Sequence, residues 1–312
     1  MALTLDEIQS TTQEFWYPKA QDQYYTGNIL MYRLLQKAQR IPGGEKIRVP
    51  IHYGPPRGGS FGPNSNFDTA RYDSLQAARY DWAAYYEPCT YDLQDKIKNA
   101  GPQQEIDIVM TKLDMSQKAI KESMTTDLYG DGVAVGAEWK MTGLLAMINS
   151  TTATKYGDIA EDDLALWSSG AVTTTSEGIT LARMRTLRDA CQVGDGDTEI
   201  PSIYITTPAL KSTFTGLLTP QQRYQNDALA AVGFKNIEFE GVPVVSDMKC
   251  PSGYMFGLNE TYLDFRVHQD FDFHHEPWMR PTNQYKFTMQ IIWAGNLICT
   301  RRAAHGYHSN FS

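Results

Sequence analysis

The residues that could carry chemistry are few and scattered. Gly58-Gly59-Ser60-Phe61-Gly62 spells Gly-x-Ser-x-Gly, the letters of a nucleophile elbow. That elbow works because a strand runs in and a helix leaves at once, which lifts the serine out of the turn. Here Pro55-Pro56 precedes and Pro63-Asn64 follows, a context that supports neither element. The sequence therefore assigns no catalytic residue. His274-His275-Glu276 and the pair His305 and His308 hold donor atoms that suit zinc. Successive strand residues face opposite ways, so His274 and His275 cannot close on one ion. His305 and His308 have no cysteine or carboxylate at ligand spacing. These histidines read as solvated or core groups, and no metal site is expected. Asp195-Gly196-Asp197 opens like a calcium loop but lacks the later ligands and the closing glutamate, so it reads as a polar turn. Gly130-Asp131-Gly132-Val133-Ala134-Val135-Gly136 follows a helix pattern and lacks dinucleotide-binding spacing. Arg301-Arg302 is a basic pair with nothing around it to define a site. No cofactor is expected, and the chain does not read as an enzyme.

The elements that would position these residues are more informative. Gly27 to Arg40 has a helical pattern with Lys37 and Arg40 near its end, and Pro42-Gly43-Gly44 stops it. Lys46 to Tyr53 alternates apolar and polar residues as a half-exposed strand does. Residues 54–66 are Gly/Pro/Asn-rich turn material of a length uncommon inside compact domains. A returning strand or short helix covers Thr69 to Tyr86. The segment reads as a long projecting two-stranded loop, which cannot bury its own faces and must lie on something else. Pro102 to Leu128 is the strongest helix, with Ile106, Val109, Met110, Leu113, Ile120, Met124 and Leu128 in one narrow stripe. Residues 139–260 mix helix (Thr180 to Gln192, Pro208 to Leu217) with strand (Pro201 to Thr206, and a strand-turn-strand over Asn236 to Val245). Gly253 to Tyr307 is mostly strand.

Composition removes whole classes. A chain of 312 residues holds one large domain or two ordinary ones, and 42% hydrophobic with 21% charged residues is globular rather than disordered. Lys and Arg total 28 against 36 Asp and Glu, a net charge of −8, opposite to that of a protein built to grip nucleic acid. The apolar runs Gly143–Ile148 and Met289–Gly295 fall far short of the roughly 20 residues of a membrane span. Cys89, Cys191, Cys250 and Cys299 are widely spaced and read as free thiols in a reducing compartment.

One phrase is more specific. Phe239-Glu240-Gly241-Val242-Pro243-Val244-Val245-Ser246-Asp247 is followed by Pro251-Ser252-Gly253-Tyr254-Met255-Phe256-Gly257-Leu258-Asn259. It resembles a stretch of the major capsid proteins of tailed bacteriophages, which have the HK97 fold. Gly143-Leu144-Leu145 and the strand-to-helix passage from Ile203 to Leu210 resemble the family too, and the likeness in organisation covers nearly the whole chain.

The resemblance implies an α+β fold with an N-terminal arm (1–44), an extended loop (45–85), a peripheral domain with a long spine helix (86–139 and 261–312) and an axial domain (140–260). It implies a structural subunit that self-assembles, as hexamers and pentamers, into an icosahedral head shell around the phage genome. The shell would be assembled in the host cytoplasm. Implied partners are further copies of the chain, a portal protein, a separate scaffolding protein, a decoration protein and packaged double-stranded DNA held weakly, with no membrane. The separate scaffold is expected because the arm begins near Met1, with no scaffolding region of about a hundred residues ahead of it. Between Tyr53 and Arg79 there is no lysine, so autocatalytic lysine–asparagine cross-linking through the loop is not expected. The loop tip, Arg57, Phe61, Asn64 and Asn66, is the expected inter-subunit contact, and Ile106, Leu113 and Ile120 the core stripe of the spine. An encapsulin-type compartment shell is the alternative of the same fold, and a Ser60-dependent hydrolase the alternative of another class.

Overall fold

A computed structural model of the chain describes residues 27–54, 59–63, 66, 74–98, 108–132, 139–149, 155–170, 172–174, 176–194, 199–218 and 237–311. In chain order the elements are α1 (Ile29–Lys37), β1 (Gln39–Ile41), β2 (Ile47–His52), β3 (Leu75–Tyr80), β4 (Ala83–Asp92), α2 (Leu93–Lys98), α3 (Ile108–Leu128), α4 (Leu144–Met147), β5 (Val172–Thr173), α5 (Leu181–Cys191), β6 (Ile203–Thr206), α6 (Pro208–Leu217), β7 (Glu238–Phe239), β8 (Val242–Ser246), β9 (Met255–Leu258), β10 (Leu263–His268), β11 (His274–His275), β12 (Lys286–Cys299) and β13 (Gly306–His308). They fall into two compact units. Among the described residues, the larger contains those of 27–85, 121–272 and 293–311, and the smaller those of 86–120 and 273–292.

The larger unit is built on a six-stranded sheet of order β5-β13-β9-β6-β8-β7. Its central strands β6 and β9 are buried at every position, so both faces are covered and the residues run apolar without alternation. Helices α5 and α6 help form its core through Met184, Leu187, Leu210 and Phe214, all buried beside Tyr204, Val244 and Met255. Each helix starts on a threonine: Thr180 accepts from the Arg183 N–H, and Thr207 from the Leu210 N–H with Pro208 in the first turn. β6, α6 and β8 make a β-α-β unit, Tyr204 pairing in parallel with Val244. The turn from β7 to β8 needs positive φ at two successive residues, Glu240 (50°) and Gly241 (84°), as the two-residue hairpin turns do. Arg185 and Arg188 of α5 hold the Glu240 carboxylate at 3.0 and 2.7 Å.

A second sheet in this unit pairs β1 with β10 in parallel and β10 with the end of β12 antiparallel. The pattern of Gly27 to Arg40 predicts helix through Arg40, but α1 ends at Lys37. Gln39 to Ile41 instead pair with Arg266 to His268, because β10 offers a ladder there. α1 itself is capped by Asn28, whose side-chain oxygen accepts from the Met31 N–H, and it buries Leu30, Met31 and Leu34. After α3 the backbone returns so close that Gly143 has no room for a Cβ: one would lie 2.2 Å from the Gly130 carbonyl and 2.4 Å from that of Asp127.

The smaller unit combines the later part of β4, α2, the first half of α3, β11 and the start of β12, with His275 paired to Ile291. Tyr91 stacks on Phe287 (5.2 Å) and meets Trp278 edge-on (4.9 Å). Lys112 on α3 reaches Asp95 (2.8 Å) and the Thr90 carbonyl (3.1 Å).

Candidate functional site

The most distinctive surface is the β2–β3 hairpin. Its register runs from Ile47↔Tyr80 to His52↔Leu75, and Tyr53 N–H extends it to the Ser74 carbonyl. Sequence alternation divides the two faces. Ile47, Val49, Ala78 and Tyr80 are buried, whereas Arg48, Pro50, His52, Leu75 and Arg79 are exposed. The base is fastened on three sides. Tyr80 donates to the Cys299 carbonyl (2.9 Å) and packs edge-on against Tyr156. The Arg79 N–H donates to the Gly157 carbonyl (2.9 Å), and Trp82 Nε1 to the Gly44 carbonyl (2.7 Å). Lys46 bridges Asp158 and Asp81, each at 3.2 Å, and these bonds, Asp158 first, raise its pKa above the ordinary lysine value. Away from this base the exposed residues include two large apolar ones, Leu75 (69%) and Phe61 (70%), among polar and small neighbours such as His52, Ser60 and Asn66. Pro50 sits where its missing N–H costs nothing. In an antiparallel ladder anchored at Tyr53 and Ser74, alternate residues 48, 50 and 52 point their backbone groups away from β3.

Of the tip residues expected as contacts, Phe61 and Asn66 are exposed, while Arg57 and Asn64 lie outside the described residues. In the spine stripe Ile120 is buried and Leu113 half-buried, whereas Met110, read into the same stripe, is exposed; Ile106 again lies outside the described residues. Ser60 is exposed in an irregular stretch, 59–63. The Asp195-Gly196-Asp197 motif is outside the described residues.

The histidines separate into two kinds. His274 and His275 are exposed on the short strand β11. His305 is fully buried; its Nδ1 accepts from the Asn259 N–H (3.2 Å), and burial pushes its pKa down to about 3. His308, also buried, lies 3.0 Å from the Arg183 carbonyl, and burial lowers its pKa too. Arg302 is the larger surprise. Its sequence gives a plain basic pair, yet it is 1% exposed. It donates to the carbonyls of Met147 (2.7 Å) and Trp167 (2.8 Å) and lies over the Tyr156 ring (5.3 Å). Burial lowers its pKa, and the acceptors that hold it come from backbone far along the chain, which no local motif reveals. All four cysteines are free and buried. Among the described residues no group of three or more His, Cys, Asp or Glu could hold a metal ion.

This geometry defines a class before it defines a family. A two-stranded ribbon fixed at its base, with large apolar side chains such as Leu75 and Phe61 exposed beyond it, offers a surface suited to contact with another chain. The solved structures agree on the fold. The chain resembles the capsid subunit of cyanophage A-1(L) at 16% identity over 99% of both chains, with a TM-score of 0.67. It resembles the SrpI encapsulin of Synechococcus elongatus at 12% identity over 100% of this chain and 97% of that one (TM-score 0.61). The capsid protein of Myoviridae phage XM1 matches at 9% identity over 100% and 99% of the two chains (TM-score 0.61). The fold is thus the HK97-like α+β fold of phage capsid proteins. A search of curated proteins finds no match. The family model described as SU10 major capsid protein matches residues 92–311, and the chain belongs to that family. It is a shell-forming structural subunit of a tailed phage.

Proposed function

We propose that this chain is the non-enzymatic tile of an icosahedral phage head, arranged as hexamers and pentamers around packaged DNA and assembled in the host cytoplasm. The observation that carries the reading is the β2–β3 hairpin, buried at its base and exposed beyond it. A ribbon of two strands is marginal alone, so its outer part gains its partner surface on a neighbouring subunit. In this reading 1–44 is the arm and 45–85 the loop that lies over the neighbour, with Arg57, Phe61, Asn64 and Asn66 as contacts. Residues 86–139 and 261–312 form the peripheral domain, with Ile106, Leu113 and Ile120 as the core stripe of its spine helix, and 140–260 form the axial domain. A portal, a separate scaffold, a decoration protein and weakly held DNA complete the particle. The negative balance of the chain suits DNA that must slide during packaging. An encapsulin-type shell would share the fold, but membership of a major capsid protein family favours the phage head.

The test is deletion of residues 55–66. Negative-stain imaging and light scattering, with and without scaffold, should show closed shells for the parent chain. The deletion variant should stay soluble and folded and form none. Normal shells from the deletion variant would overturn the assigned role of the loop.

A further inference from the structure

Arg48 and Arg79 stand directly opposite each other across the hairpin, both exposed, on one face. By the alternation anchored at Tyr53 and Ser74 they form a pair without mutual hydrogen bonds, the type in which side chains come closest. Like charges so placed repel unless an anion lies between them. Neither guanidinium has a carboxylate partner among the described residues. Arg48 also lines a cavity of about 230 Å³ beside the hairpin base, together with Lys46, Arg266 and Trp82, and no acidic residue lines it. Lys46 is already engaged by Asp81 and Asp158, and Arg266 by Asp264 and Gln39. The cations left for a ligand are Arg48 and Arg79.

The same chain carries a complementary surplus. Glu161-Asp162-Asp163 is its one run of three consecutive acids. It forms a turn in which Asp162 and Asp163 are exposed, and none of the three is ion-paired among the described residues. Glu161 also acts on the buried Arg302 of its own subunit. Copies of this chain meet one another, so a cationic pair and an acidic turn left open in every copy can satisfy each other across a contact.

We propose that the Arg48–Arg79 pair is a carboxylate receptor for a second copy of the chain, and that the Glu161-Asp162-Asp163 turn of that copy fills it. This rests on the shell-forming reading and names one of its contacts. The arginines' planar forks match carboxylates bidentately, which fixes the angle at which the hairpin meets its neighbour as well as the attraction between them.

The experiment compares shell formation by light scattering and negative stain. The parent chain under the same conditions is the control, and its failure to form shells would strike the capsid reading itself. The pair Arg48→Glu and Arg79→Glu, and separately the pair Asp162→Arg and Asp163→Arg, should each raise the subunit concentration needed for shells by at least about tenfold. One chain carrying all four changes should recover most of that loss. Normal assembly by either reversed pair overturns the proposal. So does a four-fold variant that remains as poor as its parents while its denaturation midpoint stays at the parent value, which is also what a phosphate occupant would give. Should a reversed pair fail to fold, Arg48→Gln with Arg79→Gln and a salt titration replace it. Added salt should weaken parent assembly, and the glutamine variant should have lost most of that response. An undiminished salt response overturns the proposal.

Discussion

The two compact units solve the problem of burial differently. In the larger, β6 and β9 are covered on both faces, and large side chains such as Phe214, Phe256, Phe265 and Trp293 are fully enclosed. In the smaller, the buried residues are, among those described, Cys89, Ser116, Ile120, Met289 and Ile291, and none of the five is a large aromatic. Several of its apolar groups face outward: Tyr86, Ile97, Met110, Met115, Met279 and Tyr285 are each at least 45% exposed, while Leu113, Tyr91, Trp278 and Phe287 are half-buried. One unit carries its own core. The other leaves large apolar side chains exposed, as a subunit does when a neighbour is to cover them. Stability should therefore reside in the larger unit, and sensitivity to association in the smaller.

The largest effect should come from the enclosed sheet. Phe256→Ala on β9 should cost about 3–5 kcal/mol, read as a shift in the denaturation midpoint, because the tight surroundings cannot collapse into the space. A loss below about 1 kcal/mol would break the comparison.

Acid should strike the same unit next. His305 is neutral in the folded chain, with its pKa near 3, whereas the unfolded chain takes up that proton below about 6.5. A group depressed in this way favours folding fully above about pH 6.5 and loses that contribution as the pH falls toward 3. The loss from His305 alone is about 3 kcal/mol at pH 4. Melting at pH 7 and pH 4 measures it. His305→Gln keeps an acceptor for the Asn259 N–H and should flatten the dependence. An equally steep dependence in that variant would place the acid sensitivity elsewhere.

The smallest effect on folding should come from the smaller unit. Ile97→Asp and Met110→Asp should move the midpoint by less than about 0.5 kcal/mol, since both side chains are exposed in the isolated subunit. The same variants should assemble poorly. Variants that unfold would show the unit to be self-sufficient, and variants that assemble normally would show that its apolar groups meet no neighbour.

What the sequence revealed follows the range of the forces involved. Alternation from Phe287 to Ile291 and the run Ile120, Met124 and Leu128 are local patterns, and they sit on β12 and α3. Thr207-Pro208 marks a helix start that is local too. The misreading of Gln39 and Arg40 has the opposite cause, since their partners Arg266 and Val267 lie more than two hundred residues away. Arg302 hid for the same reason, as its acceptors are backbone carbonyls at Met147 and Trp167. The Arg48–Arg79 pair was half visible: alternation over Lys46 to Tyr53 places Arg48 on an exposed face, but only the register sets Arg79 opposite it.

Pro50 has a consequence for crowding. In a cell filling with copies of one chain, every open strand margin is an invitation to stack ribbon upon ribbon into fibres. On the outer margin of β2, the backbone groups that could recruit such a strand belong to Arg48, Pro50 and His52. The middle one has no N–H to offer, so a third strand would meet a gap in its ladder halfway along. The hairpin can thus be long and exposed without polymerising through its backbone. Recognition passes to the side chains, where geometry can demand a closed shell.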